Sequence, residues 1–96
     1  MINQEESLQI VVDCIRAVSH IPVVDPTATL DDNGIVDTPR VNNLITLIVH
    51  SKNIGVPRKH HQIDGNFFND VDSDTVVLNV VDTVRDKSTP VLEESA

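Results

Sequence analysis

Apolar residues recur at steps of three and four along three separate segments of this 96-residue chain. Such spacing places the apolar side chains on one face of an α-helix. The first segment is Gln4–Ser19, the second starts at Thr38, and the third is expected to start near Ser73 or Asp74. The apolar stripes consist of Leu8, Val11, Val12, Ile15 and Val18, of Val41, Leu44, Ile45, Ile48 and Val49, and of Val76, Val77, Val80, Val81 and Val84.

The third segment could also form a buried strand, because Thr75–Val81 is rich in β-branched residues. Its adjacent apolar pairs, Val76-Val77 and Val80-Val81, break the alternation of a strand and favour a helix. The preceding segment, Arg58–Asp72, is less regular, and Gly65 interrupts it. We expect a short third helix or a turn in that segment.

A long connection, Ile21–Asn33, separates the first two helical segments. Its prolines and the polar cluster that ends at Gly34 are typical of a loop. Its apolar residues predict that this loop packs across the helices instead of extending into solvent. After the second segment, Asn53, Gly55 and Pro57 are typical signals for the end of a helix.

These segments predict one small domain with an all-α fold. It has three longer helices, one short element and a long first loop. We expect residues 1–86 to form the domain and residues 87–96 to be a disordered tail. The predicted core consists of Val12, Ile15, Leu30, Ile35, Leu44, Ile48, Phe67, Phe68, Val77 and Val81.

The composition excludes several function classes. The chain has 15 acidic and 7 basic residues, a formal net charge of −8, with two Phe and no Trp or Tyr. Such a surface repels nucleic-acid phosphates and lacks stacking platforms for bases, whereas it favours partner proteins with basic patches.

The chain has no Gly-x-Ser-x-Gly, phosphate loop or dinucleotide fingerprint, so we expect no enzymatic activity.

The N-terminus is acidic and polar, unlike a signal peptide, and no apolar run has the length of a membrane span. We therefore expect a cytoplasmic monomer that does not bind membranes. Cys14 is the only cysteine, so no internal disulfide can form. Because it falls on the apolar side of the first segment, we expect it to be a small buried hydrophobe.

The second segment is preceded by Asp32–Pro39, where a glycine turn, an acidic residue and a hydroxyl residue come directly before the helix. Thr38 is a suitable N-cap, and Pro39 at the first helical position needs no amide partner. Asp37 suits the positive end of the helix dipole. The pattern predicts that the Thr38 hydroxyl faces solvent at the start of the helix. A capping role alone would also explain why Thr38 and Pro39 occur at these positions.

Gly34-Ile35-Val36-Asp37-Thr38 resembles the attachment motif of acyl carrier proteins and of related peptidyl and aminoacyl carriers. It is similar to the form with one extra apolar residue, as in D-alanyl-type carriers. Gly55-Val56-Pro57 resembles the family's turn after its second helix, and Phe67-Phe68 with Asp74-Thr75-Val76 resembles its lead into the last helix. The resemblance spans Leu8–Val84 and implies an acyl-carrier-protein-like four-helix bundle with a long first loop.

In that family a transferase moves 4′-phosphopantetheine from coenzyme A onto the motif serine. The arm then presents acyl, aminoacyl or polyketide intermediates to biosynthetic enzymes such as synthases, transferases and ligases. The resemblance therefore implies phosphopantetheine on Thr38, with Asp37 assisting a metal-dependent modification. Free amides at the helix N-terminus would suit the phosphodiester. The implied partner-binding residues are Arg40, Val41, Asn43 and Leu44.

The sequence departs from the family pattern in three ways. Thr38 replaces serine with a secondary, β-branched hydroxyl that crowds attack on phosphorus, and Pro39 replaces a bulky apolar residue. The second helix also lacks the usual acidic positions, because its polar residues are Arg40, Asn42, Asn43, Thr46, His50 and Lys52. The alternative function is therefore a carrier fold that is not modified at Thr38 and acts as a protein-docking or regulatory module. A small helical interaction protein with an accidental motif match is a third hypothesis.

Two other clusters are interpreted as surface features. Asp70–Asp74 imitates the start of a calcium loop, but Thr75 and Val81 occupy the positions that need glycine and glutamate. We expect an acidic turn that caps the last helix. Adjacent His60 and His61 point in different directions on most backbones, so they predict a basic surface patch and no metal site.

Overall fold

The computed structural model describes residues 3–50 and 61–90. Its α-helices are α1 at Gln4–Ser19, α2 at Thr38–Val49 and α3 at Val77–Lys87. Short 3-10 helices lie at Asp31–Asn33 and Gly65–Phe68, and the two-residue strands β1 (His61–Gln62) and β2 (Thr89–Pro90) pair antiparallel. Helix α1 packs against both α2 and α3. This mostly helical structure confirms the predicted all-α class.

Helix α1 has defined signals at both ends. At its start the Asn3 side chain accepts a hydrogen bond from the Glu6 amide at 2.8 Å, and the Glu6 carboxylate accepts one from the Asn3 amide at 3.3 Å. This reciprocal pair is a capping box. At the other end His20 takes a left-handed conformation, and its amide donates to the Arg16 carbonyl at 2.8 Å. The bounds predicted for the first helix are confirmed.

The long first loop lies across the start of α3, as its apolar residues predict. The Leu30 amide donates to the Thr75 carbonyl at 2.9 Å, and the Asp31 amide donates to the Ser73 carbonyl at 2.8 Å. The Leu30 side chain is fully buried. The loop is therefore anchored in the core at Leu30 and hydrogen-bonded to the segment just before α3.

The side chain of Asn33 holds this loop in its path. It is only 3% exposed, and its amide donates to the carbonyls of Asp25 at 2.9 Å and Thr29 at 2.8 Å. Its oxygen accepts from the Asp25 amide at 2.8 Å. The Asp25 carboxyl accepts hydrogen bonds from the Thr27 hydroxyl, which has the larger effect, and from the Thr27 amide. Both bonds lower the pKa of this carboxyl below its usual value. Both ends of the loop segment 25–33 are thus tied together.

Helix α3 starts at Val77, so the prediction of a start near Ser73 or Asp74 is wrong. The Asp72 carboxylate accepts from the Asp74 amide at 2.9 Å and closes a separate turn before the helix. The α3 amides at 77 and 78 donate instead to loop carbonyls at 28 and 26, both at 3.0 Å. The Asp70–Asp74 segment is therefore an acidic turn, but it does not cap α3.

The competing strand prediction for Thr75–Val81 is wrong beyond Val76. Val76 forms an isolated antiparallel bridge with Thr29, and the helix begins at the next residue. The adjacent valine pairs of this segment contribute Val77, Val80 and Val81 to the buried face of the helix. The apolar periodicity therefore predicted the helix correctly. The many β-branched residues of this segment do not make it a strand.

Eight of the ten predicted core residues are buried, and two are not. Val12 is only partly buried. Phe67 is 48% exposed and lies with its ring centroid 5.5 Å from the Lys87 ammonium, whereas Phe68 is 1% exposed. Two adjacent side chains on a short 3-10 helix point in different directions, so only Phe68 enters the core. The buried predicted residues are Ile15, Leu30, Ile35, Leu44, Ile48, Phe68, Val77 and Val81.

The chain remains ordered past the predicted domain boundary at residue 86. Helix α3 continues to Lys87, Ser88 is 5% exposed, and Thr89 pairs with Gln62. The prediction of a tail is therefore wrong for residues 87–90, because strand pairing and burial hold them. Residues 91–96 lie outside the described residues. The predicted stop signals at 53, 55 and 57 also lie outside them.

The predicted short element between α2 and α3 is confirmed as the 3-10 helix Gly65–Phe68. The Asp64 side chain accepts from the Asn66 amide at 2.9 Å and starts this helix. The helix contacts both α2 and α3. Its role in the fold is to carry Phe68 into the core between them.

Replacing Asn33 with Ala should destabilise the domain by about 3 kcal/mol, because buried backbone groups at Asp25 and Thr29 lose their partners. Urea unfolding would measure the loss. Asn79 is exposed on α3 and gives a matched control, for which Asn79→Ala should change stability by less than about 0.5 kcal/mol. Equal stability of the two variants would show that the loop does not depend on Asn33.

Candidate functional site

Gly34 directs the chain from the loop into the segment before α2. Its φ is +89°, in the left-handed region that favours glycine. A Cβ at this position would lie 2.8 Å from the Ser19 Cβ, so the backbone passes very close to the end of α1. Ile35 then enters the core, while Val36 is 50% exposed. Glycine is therefore required at this position of the attachment-like motif, because a side chain would clash with Ser19 and strain the backbone.

Asp37, and not Thr38, is the N-cap of α2. One Asp37 carboxylate oxygen accepts from the Arg40 amide at 3.0 Å, and the other lies 2.5 Å from the Arg40 guanidinium. The predicted N-cap role of Thr38 is wrong by one position, because the longer acidic side chain three residues before Arg40 reaches that amide. Thr38 is the first helical residue and Pro39 the second.

The Thr38 side chain is exposed at the N-terminal end of α2. Within the described part of the chain, no hydrogen bond restrains its hydroxyl. The preceding residues are held by the Gly34 turn and by the Asp37 cap. The hydroxyl is therefore presented to solvent on a well-fixed backbone, as the sequence predicts.

Few backbone amides at this helix start are available for an anion. Pro39 has no amide hydrogen, the Arg40 amide donates to the Asp37 side chain, and the Val41 amide donates to the Asp37 carbonyl at 3.0 Å. The Thr38 amide alone has no hydrogen-bond partner among the described residues. The expectation of several free amides is thus wrong, and the Arg40 guanidinium is the principal positive group beside Thr38.

The structure divides the four predicted partner-binding residues into two pairs. Arg40 and Asn43 are exposed on α2. Val41 and Leu44 are 4% and 0% exposed, so the prediction that they contact a partner is wrong. The helical repeat explains the division, because residues 41, 44 and 48 lie on the face that packs into the core. Only Arg40 and Asn43 remain accessible.

An open groove of about 640 Å³ runs between α2 and the end of α1, next to residues that flank Thr38. Asp37, Pro39 and Arg40 flank its start, and Asn43 follows one turn later. Its complete lining is Ala17, Val18, His20, Asp37, Pro39, Arg40, Asn43, Thr46 and Leu47. Sequence reasoning missed the contribution of α1, because nothing in the sequence shows which part of α1 lies beside α2.

The Asp70–Asp74 cluster belongs to no metal-binding group among the described residues. Over residues 3–50 and 61–90, the structure has no group of three or more His, Cys, Asp or Glu side chains arranged to hold a metal ion. Asp72 is engaged in its own turn, and Cys14 is buried. The side chains of the His60-His61 pair lie outside the described residues. In the described part of the chain, no helix combines the length and apolarity that crossing a bilayer requires.

No protein-family model, curated protein or solved structure matches this chain. The geometry around Thr38 is therefore the basis for any assignment of function. The relevant features are an exposed hydroxyl, a fixed helix start, one adjacent guanidinium and a groove that continues from them.

Gly34→Ala should destabilise the domain by about 2 kcal/mol or more, because the left-handed backbone is strained and the new Cβ meets Ser19. Thermal or urea unfolding measures the effect. Gly65→Ala is the matched control, because the nearest atom to its Cβ would be a Val49 methyl at an ordinary 3.6 Å. That variant should be neutral or about 0.5 kcal/mol more stable. A Gly34→Ala protein as stable as the Gly65 variant would contradict the close approach to α1.

Proposed function

We propose that this chain is a carrier-type protein that presents the Thr38 hydroxyl for attachment of a 4′-phosphopantetheine arm. The observation that carries the proposal is the exposure of Thr38 at the first position of α2. The arm would hold an acyl, aminoacyl or polyketide intermediate and would present it to biosynthetic enzymes. The protein itself would act as a shuttle and not as an enzyme.

The order of the elements supports this proposal. The acyl-carrier-like interpretation expects a first helix, a long packed loop, a second helix that starts at the motif, a short element and a last helix. The described residues have α1, the loop that contains Asn33, α2, the 3-10 helix Gly65–Phe68 and α3 in that order. A fixed scaffold with a flexible arm would raise the effective concentration of the cargo at each partner enzyme.

The residues around Thr38 fit the proposed arm, with the Arg40 guanidinium in place of free backbone amides as the group that binds the phosphodiester. Phosphoryl transfer would form a bond from the Thr38 oxygen to the pantetheine phosphorus and release the adenosine bisphosphate half of coenzyme A. Since Pro39 and the Asp37 cap remove two amides from this helix start, the phosphodiester would rely on the Arg40 guanidinium. A guanidinium has several donors, so Arg40 could keep its bond to Asp37 and also bind phosphate.

The Asp37–Arg40 pair also favours a second candidate, a carrier fold that is not modified. Both carboxylate oxygens of Asp37 are engaged by Arg40. They are therefore less available to assist metal-dependent modification. In this second candidate the exposed residues Arg40 and Asn43 belong to a docking or regulatory surface.

A loading experiment tests the first candidate. The protein is incubated with a broad-specificity phosphopantetheinyl transferase, coenzyme A and Mg²⁺, and intact mass is measured over time. We expect a mass gain of one arm, abolished in Thr38→Ala. Thr38→Ser should load about tenfold faster, equivalent to ~1.4 kcal/mol of activation free energy, because its primary hydroxyl is less crowded.

The two candidates give opposite results in the same assay. An unmodified native protein alongside a fully modified Thr38→Ser variant would contradict the carrier function and support the docking module. A native mass gain that persists in Thr38→Ala would place the modification on another residue. Circular dichroism of each variant confirms that the helices are intact, so that failure to load is not a failure to fold.

A further inference from the structure

The groove between α1 and α2 is lined by residues on both sides of Thr38, although Thr38 itself is not among its lining residues. It is flanked at its start by Asp37, Pro39 and Arg40, the neighbours of Thr38 on both sides. Its volume of about 640 Å³ lies within the range of roughly 300–1,000 Å³ that is typical of small-molecule sites. An arm leaving Thr38 therefore has an adjacent channel on the surface of its own carrier.

The groove is lined by charged, amide, hydroxyl and apolar side chains. Arg40 lies near its start, where a phosphodiester would be, and His20 is also among its lining residues. One turn further along α2, the exposed Asn43 offers an amide donor and acceptor, and Thr46 follows at the next turn. Val18 and Leu47 provide apolar walls. A pantetheine arm has the same alternation, since it carries a phosphate, a dimethyl group and two amides.

The length of the groove suits the polar part of the arm. Pro39 and Leu47 are eight residues apart on α2, which corresponds to about 12 Å along the helix axis. That distance accommodates the phosphate and both amides, and the thiol would extend beyond Leu47. The core is closed beneath the groove, because Leu44 and Ile48 are buried. The groove would therefore hold the arm and not the attached cargo.

We propose that the α1–α2 groove binds the pantetheine arm of its own chain, with the Asn43 carboxamide hydrogen-bonded to an arm amide. This inference rests on the proposed carrier function. Arg40 supplies a guanidinium at the end of the groove where the phosphate would lie, beside the Asp37 carboxylate with which it pairs. The arm would lie along α2 between visits to partner enzymes, with its thiol accessible.

A chemically attached arm tests this inference without relying on the transferase. Thr38→Cys introduces an exposed thiol, whereas the native Cys14 is fully buried. The introduced thiolate displaces iodide from an S-methyl pantetheine derivative that carries an iodoacetyl group at its 4′ end. One carbon–sulfur bond forms and iodide leaves, and the S-methyl group prevents the reagent from alkylating its own thiol. Intact mass verifies a single adduct. The same variant capped with iodoacetamide is the reference without an arm.

Two-dimensional ¹H–¹⁵N spectra of the two adducts should differ at the groove. We expect shifts in the backbone amides of Val18, Thr46 and Leu47 and in the side-chain amide of Asn43, with no shifts on the far side of α3. Asn43→Ala should reduce the groove shifts by about half or more, because the arm loses its hydrogen-bond partner. Asn42→Ala is the matched control, since Asn42 is exposed on α2 but does not line the groove.

Shifts confined to residues 36–40 would show that the arm extends into solvent, and would overturn the inference. Equal effects of the Asn42 and Asn43 variants would also overturn it. These outcomes are distinct from a failure of the carrier function, which appears as the absence of enzymatic loading on Thr38. The chemical adduct forms in either case, so the groove is tested independently.

Discussion

The buried carboxamide of Asn33 sets the path of the long first loop, and the other elements depend on that path. Its three hydrogen bonds fold residues 25–33 back on themselves. Leu30 is thereby held in the core, and the loop carbonyls at 26 and 28 bind the first amides of α3. One side chain thus determines where α3 begins and where the chain turns towards α2.

The same constraint positions the hydroxyl of Thr38. Directly after Asn33, Gly34 passes so close to Ser19 that a side chain there would clash. Ile35 is anchored in the core, and Asp37 then caps α2. Since each step is fixed by burial or by a hydrogen bond, Thr38 has a defined place at the helix start although its own side chain is exposed. This combination of a rigid backbone and an accessible hydroxyl underlies the proposed carrier function.

Sequence reasoning identified features that depend on local periodicity. The bounds of α1, the first residue of α2 and the exposed position of Thr38 follow from apolar spacing and end signals. The start of α3 could not be predicted, because its first amides bond to a loop about 50 residues earlier. The burial of Asn33, the α1 side of the groove and the order at 87–90 likewise depend on tertiary contacts. The Asp37 cap did have a local signal, because an acidic residue lies three positions before the Arg40 amide, whereas the sequence pattern predicts Thr38 as the cap.

The central claim is that the oxygen of Thr38 is the attachment point, and site localisation by tandem mass spectrometry tests it most directly. Trypsin releases the Ala17–Arg40 peptide, in which hydroxyl side chains occur at Ser19, Thr27, Thr29 and Thr38. After incubation with transferase and coenzyme A, we expect fragment ions to place the arm on Thr38 alone. An arm on any of the other three hydroxyls, or a wholly unmodified peptide, would contradict it.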